Sequence, residues 1–178
     1  MVTIIFESHG TTIDNEAHRS SGAKDVELSE LGRQQAKELG ARYEGQRIDA
    51  VFCSVLKRSY ETAVIAFEGT EVPVIRDARL NECDYGDMNG TASKLVDPEK
   101  AKRITVPFPN GESYEQCAER MRSFLDDLAM KYEGRTVVVI GHRATQYGLE
   151  HWINDVPLKD AVAAPWAWQT GWTYRLDM

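Results

Sequence analysis

Cysteine is scarce in this chain, and the little there is follows no ligating or bridging pattern. Cys53, Cys83 and Cys117 are the only ones among 178 residues. An odd number without a C-x-x-C pair excludes a disulfide framework and a zinc site of the usual spacing. We expect three free thiols in a reducing compartment. Long apolar runs are missing as well: none approaches the ~20 residues of a membrane-spanning helix. The N-terminal apolar run, residues 2–6, lacks a basic flank and is too short for a secretory signal, so a cytoplasmic protein without membrane contact is expected. Positive charge is in deficit, with 21 Lys and Arg against 28 Asp and Glu for a net charge of −7. That removes the basic footprint on which nucleic-acid binding depends. Any anionic ligand must then be drawn to a local cation cluster, against the field of the chain as a whole.

What remains is the balance of a soluble globular enzyme, 42% hydrophobic and 28% charged. The length suits one domain, residues 1–178, with its own core. Short strands are expected at 2–6, 50–53, 72–75 and 135–140, and helices at 29–43, 56–67 and 144–153. Ser113 and Gln116 form a capping box that opens the clearest helix, where Ala118, Met121, Leu125, Leu128 and Tyr132 step by three and four. Residues 8–27 read as one long loop. Residues 80–111 read as irregular, with at most a short helix near 93–96 or 99–103. Residues 169–176 alternate Trp172, Tyr174 and Leu176 in the manner of an edge strand. Strands alternating with helices imply an α/β fold with a mostly parallel sheet covered on both faces.

Two of the strand patterns break into a histidine. V-T-I-I-F ends near Ser8-His9-Gly10, and V-V-V-I ends in Gly141-His142. The carboxyl ends of parallel strands converge on the ligand crevice of an open α/β sheet, so two distant histidines can face one site. Gly10 would let the backbone approach a ligand closely. A neutral imidazole with one nitrogen tied to a carbonyl offers the other as a nucleophile. Arg58 follows the second strand, where a guanidinium can grip phosphate oxygens in a bidentate fork. Glu82 lies in a Gly-rich loop, where a desolvated carboxyl can protonate a leaving group. Asp84 and Asp87 are close enough in sequence to compete for that role. Taken singly, each of these residues also has an ordinary structural explanation.

Five blocks taken in order carry more. Ser8-His9-Gly10, D-V-E-L-S-E-L-G-R-Q-Q-A at 25–36, the stretch 54–63, L-N-E-C-D-Y-G-D-M-N-G at 80–90, and Gly141-His142 together resemble the histidine phosphatase superfamily, the phosphoglycerate mutase-like proteins. The resemblance spans nearly the whole chain. It implies a three-layer α/β/α sandwich and a metal-independent phosphatase that uses no cofactor. In that pattern His9 becomes phosphorylated, Glu82 donates the proton, Arg58 and His142 hold phosphoryl oxygens, and Asn15 contacts substrate.

One position departs from the pattern. The family signature reads Arg-His-Gly, and here Ser8 stands where the Arg belongs. A hydroxyl cannot match a charge-assisted bidentate grip. Thr11 likewise replaces a Glu that often follows. Arg143, directly after His142, is the favoured replacement cation, with Arg19 in the long loop as the second. The expected activity is hydrolysis of a small phosphate ester through a phosphohistidine. A mutase is less favoured, because that branch leads us to expect a longer chain. The rivals are an impaired member that only binds a phosphorylated ligand or partner, and an enzyme turned to a phosphate-free substrate. All four Trp lie between 152 and 172. Core packing is the first expectation for them; an exposed patch serving a homodimer or a substrate wall is the second.

Overall fold

Burial along the first strand follows the alternation of its side chains. In the computed structural model, which describes residues 1–177, β1 (Val2–Ser8) sends Val2, Ile4 and Phe6 into one apolar cluster and Ile5 into another. The four-residue α1 (Ile13–Glu16) follows, closed by a capping box between Thr12 and Asn15, and then β2 (Arg19–Ser20). Ser29 caps α2 (Glu30–Tyr43), its Oγ accepting from Gly32 N–H at 3.2 Å. Next come β3 (Ala50–Cys53), α3 (Lys57–Ala66) and β4 (Val74–Arg76). Two 3-10 turns, Ala78–Leu80 and Gly86–Met88, lead to β5 (Thr91–Ala92), which pairs with β2, and to α4 (Ser93–Lys100). The chain continues with α5 (Tyr114–Lys131), β6 (Thr136–Gly141), α6 (Arg143–Ile153), α7 (Leu158–Ala163) and β7 (Trp172–Leu176).

The main sheet runs β4-β3-β6-β1-β7. Its first four strands are parallel, and β7 is antiparallel against β1. The uninterrupted apolar run of β6 now has its reason, since a central parallel strand is buried on both faces. On one face Val137 and Val139 pack with Phe124, Leu125 and Leu128 of α5. On the other, Val138 and Ile140 pack with Leu39 of α2 and Ala63 of α3. The result is the expected α/β fold: three layers, a mostly parallel sheet and an antiparallel edge strand.

Several boundaries differ from the sequence expectation. Residues 8–27 are not one loop, because the capping box of Thr12 and Asn15 nucleates α1 and β2 finds β5 far along the chain. Residues 93–100 form one helix that runs through Pro98, which removes a single N–H and does not end it. Gly10 has a packing reason of its own: a Cβ there would lie 2.5 Å from the carbonyl oxygen of Gly32. Gly10 and Gly32 lack side chains because the loop after β1 and the first turn of α2 touch backbone to backbone. That contact sets where His9 stands. Gly32→Ala is therefore expected to cost about 1–3 kcal/mol of stability through forced separation, read as a lowered midpoint in urea; an unchanged midpoint would show that the contact is slack.

Candidate active site

Because β1, β3 and β6 are parallel and adjacent, their carboxyl ends open on the same edge, and register carries the candidate residues there together. Ser8 pairs with Gly141 and Cys53 with Ile140, and His9 N–H extends the ladder by donating to Gly141 O at 3.2 Å. His9 and His142 thus emerge side by side, their ring centroids 5.0 Å apart. Ser8, His9, Asn15, Arg19, Arg58, Glu82, His142 and Arg143 all line one cavity of about 600 Å³. Every residue expected from sequence reaches it.

Each side chain is held by its neighbours. His9 Nδ1 lies 2.7 Å from Gly10 O, an acceptor that fixes the proton on Nδ1 and leaves Nε2 with its lone pair. Gly10 N–H donates to Thr62 Oγ1 at 2.9 Å, and that hydroxyl donates to Arg58 O at 2.6 Å, tying the His9 loop to α3. Burial, together with the Arg58 charge, lowers the His9 pKa to about 3. His142 is lowered well below the usual histidine value, by burial first and then by Arg58. Both rings are neutral at physiological pH.

The His142 Nε2 sits 2.7 Å from Ser54 Oγ, which also accepts from Leu56 N–H at 3.2 Å. Ser54 Oγ keeps a second lone pair and its own proton, so it can partner Nε2 in either tautomer of the ring. Nδ1 is buried and has no partner among the described residues. An unmatched buried ring nitrogen is costly, and a polar atom of a ligand would satisfy it.

Arg58 is buried. It donates to Lys24 O at 2.9 Å and Gly22 O at 2.7 Å, which leaves three of its five N–H groups. The Glu82 carboxylate accepts from three backbone N–H groups: Cys83 at 2.8 Å, Ala144 at 3.1 Å and Arg143 at 3.2 Å. The last two belong to the first turn of α6, a favourable place for a carboxylate. Arg120 holds the backbone beneath it, donating to Asn81 O at 2.8 Å and Glu82 O at 3.2 Å. The competing acids serve elsewhere, Asp84 accepting from Gly86 and Asn89 and Asp87 from Asn110. Only the fold separates the three.

Arg143 is fixed as well. Its Nε and one terminal N–H donate to Tyr147 Oη at 3.2 and 3.1 Å, and its guanidinium lies 5.1 Å from the Tyr147 ring and 5.2 Å from that of Trp166. Arg19 donates to Gly90 O at 3.3 Å. Among the described residues, seven arginines pair with a carboxylate, and of the six that do not, Arg19, Arg58 and Arg143 line this cavity. The cation cluster required by a net charge of −7 is here.

Sequence reasoning missed Ser54, Thr62, Gln35 and Tyr85. Ser54 follows a strand directly, a signal that was legible. Gln35 accepts from Thr11 N–H at 2.8 Å, a contact only the fold creates. The cysteines bring one surprise: Cys83, Glu112 and Cys117 place their ligating atoms within 4.8 Å of one another. Arg120 donates to both Glu112 oxygens, at 3.0 and 2.9 Å, and lies 3.4 Å from Cys117 Sγ. That guanidinium already supplies the positive charge a metal ion would bring.

The profile of the histidine phosphatase superfamily (branch 1) matches residues 4–173, and the chain belongs to that superfamily. Phosphoserine phosphatase 1 of Hydrogenobacter thermophilus is 33% identical over 150 residues, 80% of this chain and 71% of that protein. Phosphoglycerate mutase-like protein 4 of Arabidopsis thaliana is 36% identical over 151 residues, 78% and 65% of the two chains. Among solved structures, a mycobacterial glucosyl-3-phosphoglycerate phosphatase complexed with VO3 superposes with a TM-score of 0.85 at 27% identity, covering 98% of this chain and 96% of its own. Bacillus stearothermophilus YhfR gives 0.83 at 28% identity, covering 96% and 88%. No helix among the described residues is long and apolar enough to cross a membrane.

A lowered His9 pKa has a readable consequence. The ring is expected to stay neutral as pH falls through 6.5 and to take up a proton only near 3, followed by nitrogen NMR of the imidazole. Because the unfolded chain accepts that proton near 6.5, stability should decline as pH drops below that value. A His9 midpoint near 6.5 in the folded protein would contradict the burial argument.

Proposed function

We propose that the protein is a phosphomonoesterase working through a phosphohistidine on His9. The observation that carries this reading is the His9 ring, its Nδ1 tied to Gly10 O, facing a cavity it shares with His142, Arg58 and Glu82. His9 Nε2 attacks phosphorus as the ester P–O bond breaks, and Glu82 delivers a proton to the departing alcohol. Water then gives its proton back to Glu82 and attacks the phosphohistidine, releasing inorganic phosphate and the free imidazole. Arg58 and His142 contact the non-bridging oxygens, where charge must be held in both steps. Asn15 contributes its side-chain amide to substrate, its Oδ1 being committed to Thr12 N–H at 3.0 Å. The names of the relatives and structural neighbours, two of them phosphatases, support hydrolysis of phosphate esters.

His9→Ala is expected to abolish turnover. Glu82→Gln should slow alkyl phosphates far more than nitrophenyl phosphate, by about 10²–10⁴-fold for the poorer leaving groups. Equal losses on both would make Glu82 a structural residue. Phosphate recovered on His9 after denaturation of a rapidly quenched reaction tests the intermediate directly.

Ser8 leaves the cavity one guanidinium short of the family signature, and Arg143 supplies it in this reading. Held by Tyr147 and Trp166, Arg143 has already lost the side-chain freedom that binding an anion would otherwise cost. Arg143→Ala should weaken vanadate inhibition by about 10-fold or more, equivalent to ~1.4 kcal/mol. Ser8→Arg in that background should recover part of it. If Ser8→Arg raises activity in the native background while Arg143→Ala changes nothing, the site is an impaired one, and ligand binding without turnover becomes the better reading.

A further inference from the structure

The four tryptophans divide into two pairs with different fates. Trp152 donates its indole N–H to Ala118 O at 2.7 Å, and the Trp172 ring lies 5.6 Å from Phe6, so both belong to the packing of the fold. Trp166 and Trp168 remain 45% and 58% exposed. They lie in the segment between α7 and β7, which forms neither helix nor strand, and both line the cavity that holds His9. Trp166 has the Arg143 guanidinium over its ring. Trp168 packs against no aromatic ring or cation among the described residues.

An indole left open at the mouth of a polar site loses apolar burial unless something covers it. The cavity, about 600 Å³, lies within the ~300–1,000 Å³ of small-molecule sites and far exceeds what a phosphoryl group needs. The space beyond His9 is therefore room for the alcohol part of the ester. Its other lining is polar, including Ser20, Ser93, Asp97 and Lys100, with Ser20 Oγ donating to Ser93 Oγ at 3.0 Å and Lys100 paired to Asp97 at 2.7 Å.

We propose that Trp166 and Trp168 form a stacking wall that selects phosphate esters whose alcohol carries a ring with an apolar face, that face against Trp168 and any polar edge toward the serines and the Asp97–Lys100 pair. The proposal rests on the phosphatase reading above. Arg143 sets the wall in place by holding Trp166 and marks the border between the wall and the phosphoryl group, which it contacts together with His9, Arg58 and His142. An aromatic ring and a pyranose both offer such a face, and the two sources are separated by the substrates chosen. A ring-free alcohol would leave the wall uncovered.

The test compares kcat/KM for phenyl phosphate, glucose 6-phosphate and glycerol 1-phosphate in the wild type, Trp168→Ala and Trp168→Phe. Wild type should prefer at least one ring-bearing ester over glycerol phosphate. In Trp168→Ala that preference should fall by about tenfold, the scale of one ring stacked on an aromatic side chain. Trp168→Phe should restore most of it, and loss for phenyl or for glucose identifies the ring that is read. Equal activity on all three esters in the wild type, or a proportional loss on all three in Trp168→Ala, overturns the wall. If no ester is turned over, it is the hydrolytic reading that fails. Calorimetric binding of phenyl phosphate against inorganic phosphate then decides: a preference lost in Trp168→Ala upholds the wall, and equal binding overturns it.

Discussion

β6 is the last of the parallel strands to be made, yet it is inserted between β1 and β3. That placement is the constraint on which everything else in the site depends. Pairing Ser8 with Gly141 and Ile140 with Cys53 brings three strand ends, from three distant parts of the chain, onto one edge of the sheet. His9, His142 and Ser54 leave those ends one residue later, and Arg58 follows within the first turn of α3. A slip of one residue in β6 would exchange its two packed faces, so the two apolar clusters that hold it also fix the register of the histidines.

Burial does the electrochemical work once the geometry is set. Two imidazoles and a guanidinium crowd together at the cavity floor, and burial beside that charge pulls both histidine pKa values down. Arg58 is then the charged partner of the two rings. Arg58 tolerates burial because backbone carbonyls of Gly22 and Lys24 accept two of its N–H groups. Glu82 is held by the N-terminus of the same helix that follows His142. The acid and the second histidine are therefore positioned by one structural unit, α6.

Position 8 shows how a family site can change without changing the fold. Ser8 ends β1, where its pairing to Gly141 is a backbone matter that any side chain would satisfy. Arg143 lines the same cavity one strand away, because the ends of β1 and β6 are neighbours. The Tyr147 and Trp166 rings that hold Arg143 are parts of α6 and the tryptophan segment. Arg143 and the proposed ring wall thus rest on one another.

The sequence by itself determined the α/β class, the strands that break into His9 and His142, the capping box at Ser113 and the superfamily to which the blocks belong. These are local or ordered features, carried by periodicity and by motifs a few residues long. Tertiary structure alone decided which of Glu82, Asp84 and Asp87 reaches the cavity, because three acids within six residues differ only in which backbone N–H groups surround them. It alone turned Arg143 toward the site, since a flexible side chain has no direction until Tyr147 and Trp166 pack around it. It alone assigned Gly10 to the approach of α2 and split the tryptophans between core and cavity. Those outcomes depend on what arrives from elsewhere in the chain, and no pattern within the segment itself encodes the arrival.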